Sequence, residues 1–461
     1  MEVPVTASVP RHLSLNQTVQ RTHAFETMRV EGTLPPDLCG TLFRTGPGVR
    51  ERFGRPIPHA FEADGVMSAV RFGGGEAQGA VQIVRSQGYL EEEQAGRPLY
   101  STAASWLDRG RAAVSGRGKA TGNTTMWQWQ GQLFALMEGL GPVQIAADTL
   151  DTLGETDLGG VVPQAFSAHP HYLPQRKAAF NFGCRYGREM QIDLFVLPDA
   201  GPAQRLTTVT VEHNSMVHDF VVTDTHLLLL VCPAQLQSVR ALLGIGSLDT
   251  WFRWAPEAGT IAIAVPIDDP DRAQRFTLPP FWFWHTGNAW SEDGVLGADL
   301  SWYPDSASLA GIGSDDRPTA AAPALHRCSL DLRTGHWEHH PLHSLPIDFP
   351  HVHPSVFGRP HRTTFAAAQL STPEHIGIVR LDDGDATLWT VEAHEQASEP
   401  VLVPRSDAED DVWVLTLVHD DRVDRSCIAV LDGQHLDHGP VARVWFDQPL
   451  PLTFHGTWKP S

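Results

Sequence analysis

The chain has 461 residues, 42% of them hydrophobic and 19% charged, with a formal net charge of −20. That length allows one large domain or two to three ordinary ones. The negative charge, with no long basic run, excludes nucleic acid as a partner and argues against electrostatic attachment to anionic lipid. Five cysteines, at 39, 184, 232, 328 and 427, form no CxxC pair and are odd in number. This pattern fits a reducing compartment and offers no thiolate metal site.

In chain order, the first residues (MEVPVT) carry neither a basic start nor an apolar stretch, so no signal peptide is expected. Residues 1–30 read as an N-terminal extension. Apolar runs such as Leu227–Cys232 fall far short of the ~20 residues a transmembrane helix needs, and a cytoplasmic protein is expected. Strands are predicted at His226–Cys232, Thr260–Ile267, Asp411–Val418 and Cys427–Leu431, each apolar or alternating and bounded by Asp, Pro or Gly. Apolar runs break seven times at turn residues, near Gly74, Asp148, Asp199, Asp268, Asp331, Asp382 and Asp432. The intervals of 50 to 74 residues match or exceed a four-stranded propeller blade. The expectation is an all-β, seven-bladed β-propeller filling residues 1–461 as a single domain.

Three segments exceed a minimal blade: Pro98–Gly122, Ala234–Trp254 and Trp290–Asp316. Insertions of this kind gather on one face of a repeat fold, often the binding face. In Ala234–Trp254, the residues Leu242, Leu243, Ile245, Leu248, Trp251 and Phe252 would form a large apolar patch if exposed. Such a patch would mark a partner, substrate or peripheral membrane surface.

Ligand-type residues follow the turns at near-constant distance. His169 lies 21 residues after its turn, His218 19, His285 17 and His455 23, while Asp348 and Glu399 each lie 17 after theirs. Equal phase in a ring of blades means equal depth on its axis. Four imidazoles there suit Fe, Zn, Cu, Ni or Co rather than Mg or Ca. A metal-bound imidazole usually donates its second N–H to a carboxylate or carbonyl, a role open to Asp348, Glu399 and Glu138 in LFALMEG. His171, His213, His226, His351 and His353 are off phase or less apolar in surroundings and are left out.

With these motifs in view, the chain resembles a carotenoid cleavage oxygenase from about Glu31 to Trp458. The likeness rests on nine motifs in family order, among them GTLPPDLCGTLFRTGPG (32–48), NTTMWQWQGQLFALMEG (123–139), FSAHPHY (166–172), MVHDFVVT (216–223), HTGNAW (285–290) and FHGTW (454–458). It implies a propeller under a helical dome, with non-haem Fe(2+) on His169, His218, His285 and His455. Glu138, Asp348 and Glu399 would orient three of those ligands. Asp348 departs from the family's Glu; being one methylene shorter, it is expected to reach its partner through water or a shifted strand. Thr45 departs from the usual Asn, and a local turn difference is expected there. Thr124 matches a Thr that crowds an open iron position and steers O2.

The resemblance further implies O2-dependent cleavage of a C=C bond in an apolar alkene, giving two carbonyl products. A carotenoid or apocarotenoid is the expected substrate. A stilbenoid or phenylpropenoid is the alternative, and it would need a polar grip on a phenol such as Lys119. An isomerase or hydrolase on the same iron site, and a non-catalytic scaffold with a structural metal, are the alternatives from other classes.

Overall fold

The computed structural model describes residues 17–243, 245–246, 248–312, 321–372, 375–451 and 453–461. The strand pairings resolve into seven blades. The second, third and fourth are simple four-stranded sheets, beginning at Thr125–Trp129, His171–Leu173 and Val221–Val222. The fifth and sixth share the long strand Trp337–His351, whose two halves serve successive blades. The seventh begins at Glu395–Ala397 and is completed from the other end of the chain, where Arg29–Gly32 pairs with Pro440–Trp445. In the first blade, Gly456–Pro460 pairs with Gly40–Val49, followed by Asp64–Gly73, Glu76–Ile83 and His23–Thr27.

All seven turn residues occupy the same place, the corner between the third and fourth strands of a blade. Gly74, at φ 61, joins Asp64–Gly73 to Glu76–Ile83, a left-handed corner where glycine costs nothing sterically. Asp382 closes its strand before Asp383, at φ 48, turns into Asp385–Trp389. A residue about 20 positions on is therefore near the first strand of the next blade.

Strand side chains alternate between the two neighbouring blades. Leu227, Leu229 and Val231 pack with the third blade's Phe180 and Leu194, while Leu228 and Leu230 pack with the fifth blade's Leu296 and Leu300. Among the described residues, the buried apolar clusters fall at each of the seven blade-to-blade contacts, including first against seventh (Val70 with Leu417) and first against second (Met67 with Leu133). The core is thus a ring of wedges, and the hub is left for polar chemistry.

Two of the insertions, and the segment just before the first of them, supply helices. Gln87–Ala95 and Trp106–Ser115 precede the second blade, and Ser238–Leu243 lies within the fourth. The expected patch at Ala234–Trp254 is smaller than the sequence suggested. Leu248, Phe252 and Trp254 fold onto the core between the fourth and fifth blades, because burying a large side chain is favourable by about 1.5–3 kcal/mol. Trp251 is half-buried, with its indole N–H donating to the Ile245 carbonyl. Val239 and Ile245 stay exposed, while the side chains of Leu242 and Leu243, residues 313–316 of the third insertion and residues 1–16 lie outside the described set. Thr45 shows no turn; it sits buried inside Gly40–Val49, and its hydroxyl donates to the Gly122 carbonyl.

Candidate metal centre

Each of the four phased histidines sits at or just before the first strand of a different blade. His169 precedes His171–Leu173, His218 precedes Val221–Val222, His285 lies in Trp282–Glu292, and His455 precedes Gly456–Pro460. Their rings converge. The His169 centroid is 4.2 Å from His218, 5.6 Å from His285 and 4.8 Å from His455; His285 is 5.4 Å from His218 and 4.8 Å from His455. One nitrogen each of His169, His285 and His455 lies within 4.8 Å of the others, as do atoms of Glu138, His169 and His218.

Three carboxylates stand behind the rings. His285 Nδ1 meets Asp348 Oδ1 at 2.7 Å, His455 Nδ1 meets Glu399 Oε1 at 2.7 Å, and His218 Nδ1 lies 3.0 Å from Glu138 Oε1. A carboxylate at Nδ1 fixes the tautomer with its proton there and turns the Nε2 lone pair outward. His169 Nε2 is 3.5 Å from Glu138. Burial pushes His218 down to about 4 and lowers His169 and His455, against the pull of Glu138 and Glu399. Burial also disfavours the His285 cation, but Asp348, Asp219 and Glu399 together outweigh it and raise its pKa. Burial likewise opposes ionisation of Glu399, yet His455 and His351 hold its carboxyl well below the usual range.

His169 Nε2, both ring nitrogens of His218 and Glu138 Oε1 are buried without a hydrogen-bond partner. An orphaned buried polar atom costs about 1–3 kcal/mol, so several on two rings whose centroids are 4.2 Å apart call for a ligand. Neutral imidazoles with converging lone pairs fit a borderline transition ion, and the cluster fits an iron site.

A family model described as retinal pigment epithelial membrane protein matches residues 16–460. The chain belongs to this family, the carotenoid cleavage oxygenases. It is 31% identical to apocarotenoid-15,15'-oxygenase of Synechocystis sp., over 93% of this chain and 92% of that protein. Isoeugenol monooxygenase of Pseudomonas putida is 26% identical over 94% of each chain. The structure of cobalt-substituted Synechocystis ACO superposes with a TM-score of 0.89 at 28% identity, covering 98% of this chain and 99% of that one. An ACO/RPE65 chimera superposes with a TM-score of 0.90 at 27% identity, covering 99% and 100%. The protein is thus an oxidoreductase of the dioxygenase type, on a seven-bladed propeller.

Within this carotenoid oxygenase, Asp348 needs no bridging water: its contact with His285 is direct. The strand does the adjusting. Pairing register jumps between Asp348 and His351, and Phe349 takes φ 54, a conformation costing a bulky residue about 1–3 kcal/mol. The Tyr303 hydroxyl donates to the other oxygen, Oδ2, at 2.9 Å. Thr124 is buried; its hydroxyl donates to Asn123 Oδ1, and its carbonyl accepts the His455 N–H at 3.0 Å. Lys119 is not free to grip a phenol. Its ammonium lies 2.9 Å from the Asp64 carboxylate and 3.0 Å from Glu92.

Sequence reasoning passed over four groups. Asp219, one residue beyond His218, accepts from His171 Nε2 at 2.6 Å and from the Thr286 N–H at 2.7 Å, tying three blades together. His351 Nε2 reaches Glu399 Oε1 at 2.9 Å. Arg44 is fully buried behind Glu399, donating to its carbonyl at 3.1 Å. His171 had been set aside as off phase. The available signal was adjacency: each sits within three residues of a phased position or, for Arg44, inside the FRTGPG motif.

Proposed function

We propose that this oxygenase holds Fe(II) on His169, His218, His285 and His455 and cleaves one C=C bond of a carotenoid or apocarotenoid with O2, giving two carbonyl products. Glu138, Asp348 and Glu399 orient His218, His285 and His455. The observation that carries the reading is the pair of buried Nε2 atoms with no hydrogen-bond partner, on His169 and His218, in a cluster where the Nδ1 atoms of His218, His285 and His455 face carboxylates. When bound, the ferrous ion supplies O2 activation, which no side chain of the cluster offers. The residues' part is positioning. On the His218 side, Phe61, Trp284 and Phe454 form an aromatic wall, with Trp284 edge-on to His218 at 4.5 Å. Such a wall suits a polyene and keeps water from the reacting bond. Thr124 anchors His455 through its carbonyl and stands where O2 steering is proposed.

The phenylpropenoid reading draws on the isoeugenol monooxygenase relatives. Its polar grip, Lys119, is already committed to two carboxylates, and this favours the apolar substrate. Residues 1–461 are taken as one domain, supported by the closure of the first and seventh blades by both ends of the chain. All five cysteines are free thiols, which supports a reducing, cytoplasmic setting. Among the described residues no helix is long and apolar enough to cross a membrane. Peripheral contact through the dome is proposed instead: Trp106 and Val239 are each 72% exposed, on the mutually packed helices Trp106–Ser115 and Ser238–Leu243, and Leu107 and Ile245 are exposed beside them.

The test is aerobic incubation of iron-loaded protein with a panel of apocarotenoids and hydroxystilbenes under 18O2, followed by mass spectrometry. Label in both carbonyls of an apocarotenoid's two fragments is the expected result. Turnover without O2, or of hydroxystilbenes alone, rejects the reading.

A further inference from the structure

The two sides of the centre differ. The His218 side is closed by aromatic rings. On the other side lies a cavity of about 430 Å³ along the hub, reaching His169, His285 and His455; His218 is not among its described lining residues. Its wall mixes apolar and polar groups. Asp219 and Glu399, each 1% exposed, line it together with the imidazoles paired to them, His171 and His351. Those imidazole side chains are 28% and 35% exposed, so they stand between the open end and the buried carboxylates. Gln128 lines the same space from the strand Thr125–Trp129 and donates to the Thr457 hydroxyl.

The apolar part of this wall gives Asp219 and the imidazoles His171 and His351 no role, and orientation of the centre's own imidazoles is already filled by Glu138, Asp348 and Glu399. A hydrated divalent cation gives them one. Taking an ion out of water costs several kcal/mol after relaxation, which an aromatic wall cannot return. A channel offering carboxylate oxygen and imidazole nitrogen replaces water ligands step by step. The chain's net charge of −20 draws cations toward any opening, and a cleft that ends at buried carboxylates focuses that field.

We propose that this axial cavity is the route by which the divalent metal ion enters and leaves the four-imidazole centre, with His171–Asp219 and His351–Glu399 as the pairs that meet it on the way. The inference rests on the reading of the four histidines as a metal site; it adds a function to Asp219, His171 and His351 outside that site and a second one to Glu399, which also backs His455.

A plug tests it. Gln128→Cys is made in the full chain, loaded with Fe(II), and modified after folding with a bulky methanethiosulfonate reagent. Wild-type protein, whose exposed Cys39 takes the same reagent, is the control. Two rates are read: extraction of iron by a coloured chelator, and uptake of Co(II) by apo-protein, followed by visible absorption. The plug should slow both by at least about tenfold, the lower end of what a charged cleft contributes to an on-rate. Equilibrium occupancy should be unchanged, and a thiol reductant should restore both rates. Gln128→Trp is a permanent plug with the same expectation. Exchange rates equal to those of the labelled wild type overturn the route. So does a plug that lowers turnover of loaded enzyme while leaving exchange alone, since the cavity would then carry substrate or product. A wild-type protein that takes up no divalent ion overturns the four-imidazole reading itself, and the route with it.

Discussion

The hub and the dome both bury ionisable side chains, but they end with opposite accounts. In the dome, the charges close on one another. Lys119 binds Asp64 and Glu92, and Arg52 reaches the same two carboxylates at 3.4 and 3.1 Å. Glu92 belongs to the helix Gln87–Ala95 and Asp64 opens a strand of the first blade, so the cluster rivets dome to propeller. In the hub, Asp348 and Glu399 satisfy one nitrogen each of His285 and His455, while His169 Nε2 and both ring nitrogens of His218 are left without a hydrogen-bond partner. A closed set of valences holds a structure, whereas an open one invites a ligand. The difference separates a structural cluster from a chemical one where burial alone does not.

Breaking the hub should have the largest effect. His218→Ala is expected to lose iron and turnover together, measured by metal analysis and product formation on protein whose far-ultraviolet dichroism is unchanged. Normal iron content and rate would remove His218 from the centre. Breaking the dome should act on stability instead. Lys119→Met leaves two buried carboxylates facing Arg52 alone, and loss of one partner of a buried pair costs about 3–5 kcal/mol. Denaturant unfolding reads this directly, and the folded fraction should keep its iron. Equal iron loss in both variants would erase the distinction drawn above.

Smaller changes sharpen it. Glu399→Gln keeps the shape behind His455 and removes the charge, so metal affinity should fall about 10- to 100-fold, read by competition with a chelator. Tyr303→Phe removes one donor to Asp348 and should cost about fivefold in the same assay, the equivalent of one ordinary hydrogen bond of about 1 kcal/mol. Outside both regions, burial, with His339 and His340 nearby, pushes His326 down to about 4. A histidine depressed in the folded state stabilises fully above its unfolded value near 6.5, and that stability is lost as pH falls from there toward 4. Melting temperatures between pH 7 and 4.5 should therefore drop more steeply in wild type than in His326→Phe.

Much of the ring was legible because the turn residues mark one repeated corner, which fixes how far on the next blade's first strand begins. That phase located His169, His218, His285, His455, Asp348 and Glu399. Glu138 came from its apolar motif; it follows the second strand of its blade, Gln132–Leu136. What escaped the reading depends on contacts between distant blades. Arg44 and Glu399 are 355 residues apart, and no local pattern announces their meeting. His171 and His351 looked off phase, and Asp219 was not considered, because a neighbour one to three residues from a phased position faces a different direction, here the axial cavity. The patch at Ala234–Trp254 was overestimated because helical spacing shows which residues are apolar but not which of them fold back onto the core.

His455 stands immediately before Gly456–Pro460, the strand that pairs with Gly40–Val49 in the first blade. The fourth imidazole is therefore delivered by the same latch that shuts the circle. During synthesis, the blades bearing His169, His218 and His285 emerge well before that latch exists. The full complement of four imidazoles thus exists only once the circle is shut, and it reports that the fold has closed.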